Sequence, residues 1–187
     1  MSPGGHLVTT VVACAGAAAL TGSWTATAAV AAGGFFIDLD HAIDYVLFER
    51  NRALTPDAFL RHYVEGRVRW AVLMFHSYEL MALLALLTWW TGSVWLAAYV
   101  WGASLHLALD LAFNGELTPN SIVAFYSFTY RLAHRFDARR LLGRMDDAVA
   151  PAGFWAAFFS GSRRPDARAP LAAPLAARPW PRSKRSC

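Results

Sequence analysis

The carboxylates in the apolar stretches of this chain have no cation beside them in sequence. Residues 1–49 contain no Lys or Arg, yet they hold Asp38, Asp40, Asp44 and Glu49. Residues 70–130 contain none either, yet they hold Glu79 and Asp110 within long hydrophobic runs. Histidines accompany most of these acids: Asp38 and Asp40 precede His41, Glu79 follows His76, and Asp110 follows His106. A buried carboxylate without a partner is expensive. Three things can neutralise it: a divalent metal, a proton, or arginines carried in from other segments. The metal is the best candidate of the three.

Composition sets the surroundings of these groups. Of 187 residues, 56% are hydrophobic and only 16% are charged, against roughly 25% charged in soluble domains. Several of the tryptophans end apolar runs, as in an interfacial belt. The chain reads as an all-α integral membrane bundle of about four transmembrane helices, with amphipathic surface helices and a disordered basic tail. The net charge of +4 is uneven. After Phe159 there are seven basic residues against Asp166, whereas the rest has ten basic and twelve acidic. Rich in Pro, Ala and Arg, residues 161–187 read as a solvated tail, with contact to anionic membrane lipids as the alternative. No nucleic-acid module or aromatic interleaving accompanies the arginines. Cys14 and Cys187 make neither a disulfide framework nor a zinc-finger spacing.

Local signals divide the chain. Residues 1–115 read as a four-helix membrane domain, with helices over about 6–20, 24–48, 70–90 and 94–113. Thr21-Gly22-Ser23 and Thr91-Gly92-Ser93 make the tight turns. Between them, residues 49–70 are polar, and Thr55-Pro56 looks like the start of a short surface helix. Residues 116–160 read as amphipathic and interfacial helices. Five arginines fall in residues 49–70 and five in residues 131–144, while the two Thr-Gly-Ser turns have none. By the positive-inside rule both arginine-rich segments and the N-terminus face the cytoplasm.

That topology carries a consequence for the polar residues. His6 begins the first helix, Asp38, Asp40, His41 and Asp44 end the second, His76 and Glu79 begin the third, and His106 and Asp110 lie in the last half of the fourth. All approach the same membrane face. The pairs Asp38/His41, His76/Glu79 and His106/Asp110 have spacings that put each on one helical face. Together they can enclose one or two divalent ions. Mixed His and carboxylate donors suit zinc first, with manganese, iron or nickel as alternatives. Asp40 and Asp44 form a separate stripe, suited to a second metal, to holding a ligand histidine, or to pairing with Arg50 or Arg52. His62 and His134 read as surface residues.

Several segments resemble the YdjM-type membrane-bound metal-dependent hydrolases, a family of bacterial inner-membrane proteins. Gly5-His6-Leu7 is similar to the family's N-terminal histidine before an apolar helix. Ile37-Asp38-Leu39-Asp40-His41 resembles its Pro-Asp-Ile-Asp-His signature. His76-Ser77 resembles the end of its His-Arg-Gly-x-Thr-His-Ser stretch, and Ser104 to Asp110 is similar to its Ser-His-x-x-x-Asp segment, with Leu105 interposed. The chain departs from this pattern at Ile37 (proline in the family), so that its second helix continues unbroken. It departs again at Ala71 and Val72 (histidine and arginine) and at Phe75 (threonine). Glu79 is a candidate replacement for a lost ligand.

The resemblance and the residues together give one leading expectation. A metal-dependent hydrolase would use His6, Asp38, His41, His76, His106 and Asp110 to hold a metal that activates water. Asp40 or Glu79 would be the general base. A site at the cytoplasmic membrane face suits a lipid-like or other amphiphilic substrate, a phosphodiester among the options. The alternative is a non-enzymatic membrane protein, with a structural metal or a polar cluster that conducts protons or ions.

Overall fold

The computed structural model describes residues 1–114, 121–143 and 149–161, and these are helical with connecting loops. Residues 162–187, which hold nearly all of the basic tail, lie outside the described residues. Two helices are long and apolar enough to cross a membrane, α1 (Pro3–Thr21) and α6 (Val94–Phe113). A third crossing exists if α2 (Trp24–Gly34) and the helical stretch Phe36–Phe48 are taken as one span bent by 47°.

Two hairpins share one local grammar. α1 ends at Gly22, whose φ of 61° supplies the left-handed cap, and Ser23 then accepts from Ala26 N to start α2. α5 (Tyr78–Thr91) ends at Gly92 with φ 63°, and Ser93 accepts from Leu96 N to start α6. In each turn the threonine hydroxyl donates one helical turn back, Thr21 to Ala17 O and Thr91 to Leu87 O. It also accepts from the following serine amide. Glycine is needed here for its backbone, since an added Cβ would meet nothing at either position. Near these turns Trp24, Trp89 and Trp90 are more than four-fifths exposed. That suits indole rings at a membrane boundary.

The hairpins are joined by close backbone approach. A Cβ on Gly33 would collide with the Tyr99 carbonyl, and one on Gly102 would lie 2.5 Å from Val30 O. Glycine on both faces lets α2 and α6 pack at contact distance, a device of membrane helices.

Two expected helices are shorter than the sequence reading. The third helix starts at Tyr78, because residues 70–77 form a non-helical loop and Ser77 caps α5 instead of continuing a turn. With 14 residues, α5 is about 21 Å long, short of the ~30 Å hydrocarbon layer. A fourth span is therefore not reached by length. The second helix is also interrupted, although Ile37 replaces proline. α2 stops at Gly34, a 3₁₀ turn covers Phe36–Asp38, α3 covers Leu39–Ile43, and Asp44–Phe48 forms a π-helical turn.

The remaining helices close the polar end. α4 (Pro56–Val64) begins as expected, with Thr55 accepting from Ala58 N and proline in the first turn. In the region 116–160, read as amphipathic and interfacial helices, the described residues form the short helices α7 (Ile122–Phe125), α8 (Phe128–Ala133) and α9 (Ala138–Leu142). α10 (Phe154–Ser160) seats Ala157 against Leu60 and Val64 of α4. Trp70 and Asp137 form an isolated antiparallel bridge, flanked by Ala71 N to Phe136 O and Ala138 N to Arg69 O, both 2.9 Å.

Candidate metal centre

His76, His106 and Asp38 bring three donor atoms together from the 70–77 loop, α6 and the 3₁₀ turn. His76 Nε2 lies 3.1 Å from His106 Nε2. Asp38 Oδ1 lies 3.3 Å from the former and 3.5 Å from the latter. Both rings are almost wholly buried.

The other nitrogen of each ring fixes which atoms carry protons. His106 Nδ1 lies 2.9 Å from Gly34 O, and a carbonyl can only accept. His76 Nδ1 lies 3.0 and 2.9 Å from the two oxygens of Asp40, which also accept. Each neutral ring therefore holds its proton on Nδ1 and turns a bare Nε2 toward the other. Two lone pairs at 3.1 Å repel unless a cation lies between them. A proton would satisfy one contact and leave Asp38 beyond the ~2.7–2.9 Å of a charge-assisted hydrogen bond. Bonds of about 2.0–2.1 Å to a tetrahedral metal separate neighbouring ligand atoms by about 3.3 Å. The observed edges of 3.1, 3.3 and 3.5 Å fit that spacing, so this buried group could hold a metal ion.

Asp110 supplies a fourth donor. Its Oδ2 lies 3.4 Å from His106 Nε2 and 4.0 Å from His76 Nε2. Its Oδ1 is fully engaged, accepting from the Met1 amine at 2.9 Å, from His6 Nε2 at 2.9 Å and from Asn114 Nδ2 at 2.8 Å. His6 also stacks on His106, with ring centroids 3.7 Å apart. His6, His106 and Asp110 form a second group able to hold an ion, and Asp40, His41 and His76 a third. The first set is the best fit, because occupying either of the others displaces an existing hydrogen bond, His6 to Asp110 or His76 to Asp40. His41 lies beside the site. Its Nε2 is 3.7 Å from Asp38 Oδ1, its ring sits against Tyr63 and His76, and its Nδ1 is buried without a partner.

The two expected general bases have other tasks. Both oxygens of Asp40 are committed, to His76 Nδ1 and to the amides of Phe75 and His76. It is a carboxylate that orients the His76 imidazole, the geometry of the second use open to it from sequence. Glu79 does not join the imidazoles. It is exposed and accepts from Ser127, Phe128 and Thr129 at the start of α8. The break at Ser77 separates its direction from that of His76, so the face the two were expected to share does not exist.

A stripe of acids holds the loop that carries His76. Glu49 accepts from the amides of Arg69 and Trp70, Asp44 from those of Val72 and Leu73, and Asp40 from those of Phe75 and His76. The carbonyls of the same loop meet Arg131, a fully buried side chain that donates to Val72 O, Leu73 O, His76 O and Phe125 O. Burial draws its guanidinium below the usual value, and the nearby Asp40 opposes this. Arg131 is thus the buried cation absent from the apolar sequence. Nothing in the sequence separates it from Arg135, Arg139 or Arg140 in the same run. Asp40 and Asp44 bond loop amides rather than Arg50 or Arg52. His62, expected at the surface, is buried against Tyr45 and Tyr63.

A cavity of about 890 Å³ leads to the cluster, with Asp38, His41, His76 and Asp110 on its floor. Asp38 and His41 are about 30% exposed to it, so the centre is accessible rather than sealed. The fold and site define a helical membrane-type protein with a buried His/Asp cluster suited to a metal. No known family model, curated protein or solved structure matches this chain.

Proposed function

We propose that this chain is a membrane-bound metal-dependent hydrolase of the YdjM-like type, acting on an amphiphilic substrate at the cytoplasmic face of a bacterial inner membrane. The observation that carries the reading is the pair of Nε2 atoms 3.1 Å apart, closed into a triangle by Asp38. His76, His106, Asp38 and Asp110 would hold a divalent metal, zinc first among the candidates. When bound, that ion supplies Lewis acidity toward a scissile oxygen and acidifies water at neutral pH.

The chain's own groups have distinct tasks in this reading. Asp40 holds His76 in one tautomer, and the Gly34 carbonyl does the same for His106. His6 and Asn114 fix Asp110 through its Oδ1. His41 lines the cavity beside Asp38, its Nε2 3.7 Å from Oδ1. Access from the cavity favours chemistry, since a substrate or water can reach the ion beside these ligands, whereas a structural site is sealed. Arginines gathered in residues 49–70 and 131–144 orient this end toward the cytoplasm.

The test is elemental analysis of detergent-purified protein, with hydrolysis of bis(p-nitrophenyl) phosphate as the activity probe. Stoichiometric metal in the wild type, absent from a folded His106→Ala variant, supports the reading. Hydrolysis should vanish with a chelator and return with metal. Folded wild-type protein that carries no metal and takes up none would overturn it.

A further inference from the structure

Arg69 and Arg139 are 70 positions apart in sequence, yet the bridge between residues 69–71 and 136–138 makes them neighbours, since Arg69 O accepts from Ala138 N. Both line the cavity that leads to the cluster, and both are exposed. Neither guanidinium has an acidic partner among the described residues. Glu49 takes the amides of Arg69 and Trp70, and the Asp137 carboxylate takes the amides of Arg139 and Arg140 and lies 3.5 Å from Arg140 Nε. Two cations without an acidic partner on the lining of one cavity favour an anion there. Paired guanidinium forks match the several oxygens and double charge of a phosphate monoester better than a single carboxylate.

The walls define the rest of the ligand. Phe36, Leu39 and Phe113 line the cavity and are also 55%, 54% and 64% exposed. Apolar side chains of the bent second span and of α6 therefore belong both to the cavity lining and to the outer surface. An alkyl chain can enter along them without crossing water.

We infer that this cavity binds a phosphate-bearing amphiphile, with the phosphate on Arg69 and Arg139 and the chain against Phe36, Leu39 and Phe113. The inference rests on the proposed hydrolase reading only in taking this amphiphile to be the substrate.

The test is calorimetric titration of dodecyl phosphate into full-length protein in neutral detergent, with and without chelator. The Arg69→Ala/Arg139→Ala variant should bind at least tenfold more weakly, and Arg69→Lys/Arg139→Lys should recover part of the loss. Arg52→Ala/Arg135→Ala, off the cavity lining, should bind like the wild type. Equal affinity in all variants overturns the inference, as does equal affinity for dodecanoate or for inorganic phosphate. A loss shared by Arg52→Ala/Arg135→Ala indicates general attraction to basic surface and overturns it too. Metal analysis of the same samples separates the two proposals: arginine-dependent binding by metal-free protein supports this inference while removing the hydrolase reading.

Discussion

At the Thr21–Ser23 and Thr91–Ser93 turns, each cap and hydroxyl hydrogen bond joins residues no more than four apart. At the opposite end, Asp44 reaches 28 residues to Val72, Asp40 reaches 36 to His76, and His106 reaches 72 to Gly34. The turn end is stabilised by local backbone chemistry that any sequence with these residues would adopt. The site end is held by long-range polar bonds in an apolar setting, where each is strong when made and costly when lost. The first end should tolerate change in small independent steps. The second should fail as a unit.

The sharpest way to break this contrast is at Arg131. Arg131→Met removes the donors to four carbonyls and should destabilise the protein by about 3–5 kcal/mol. Thermal unfolding in detergent would read this as a large drop in Tm, with metal lost alongside. A loss under 1 kcal/mol would show that the loop stands without its clamp. Next, Asp40→Asn leaves the volume unchanged but removes the charge behind His76. Metal affinity should fall roughly 10- to 100-fold, measured by competition with a chromophoric chelator.

Smaller effects sharpen the other side. Gly22→Ala and Gly92→Ala place a Cβ at positive φ in open space, so each should cost about 1 kcal/mol and leave metal content unchanged. Coupling between either glycine and the metal would contradict the independence of the two ends. His62 gives the smallest effect and a defined sign. Burial lowers its proton affinity in the folded state, with Glu49 opposing. The unfolded chain therefore takes up the proton first. The residue's contribution to stability is complete above about pH 6.5 and is lost as pH falls below it. His62→Gln should flatten the stability–pH curve on that acid side, read as the difference from wild type.

Some of this was legible in the residues. The Thr-Gly-Ser turns, the Thr55-Pro56 start of α4 and the grouping of His6, Asp38, His41, His76, His106 and Asp110 at one end follow from caps, breaks and helical depth. The non-helical 70–77 loop was not legible. Its apolar residues read as a continuing helix, and the amide acceptors that hold it open lie 20 to 36 residues earlier. Glu79 read as a site residue for the same reason, since a continuous helix would have carried it beside His76.

By itself the sequence determined that charged groups lie in apolar surroundings without local partners, because that is a matter of composition along the chain. It also determined where helices cap and turn, because those bonds span a few residues. Only the tertiary structure decided which acids face the imidazoles and which brace the loop, which arginine is buried, and that two imidazoles turn their Nε2 atoms on each other. Those outcomes depend on donor and acceptor directions across separate segments, and such directions exist only once the backbones have packed.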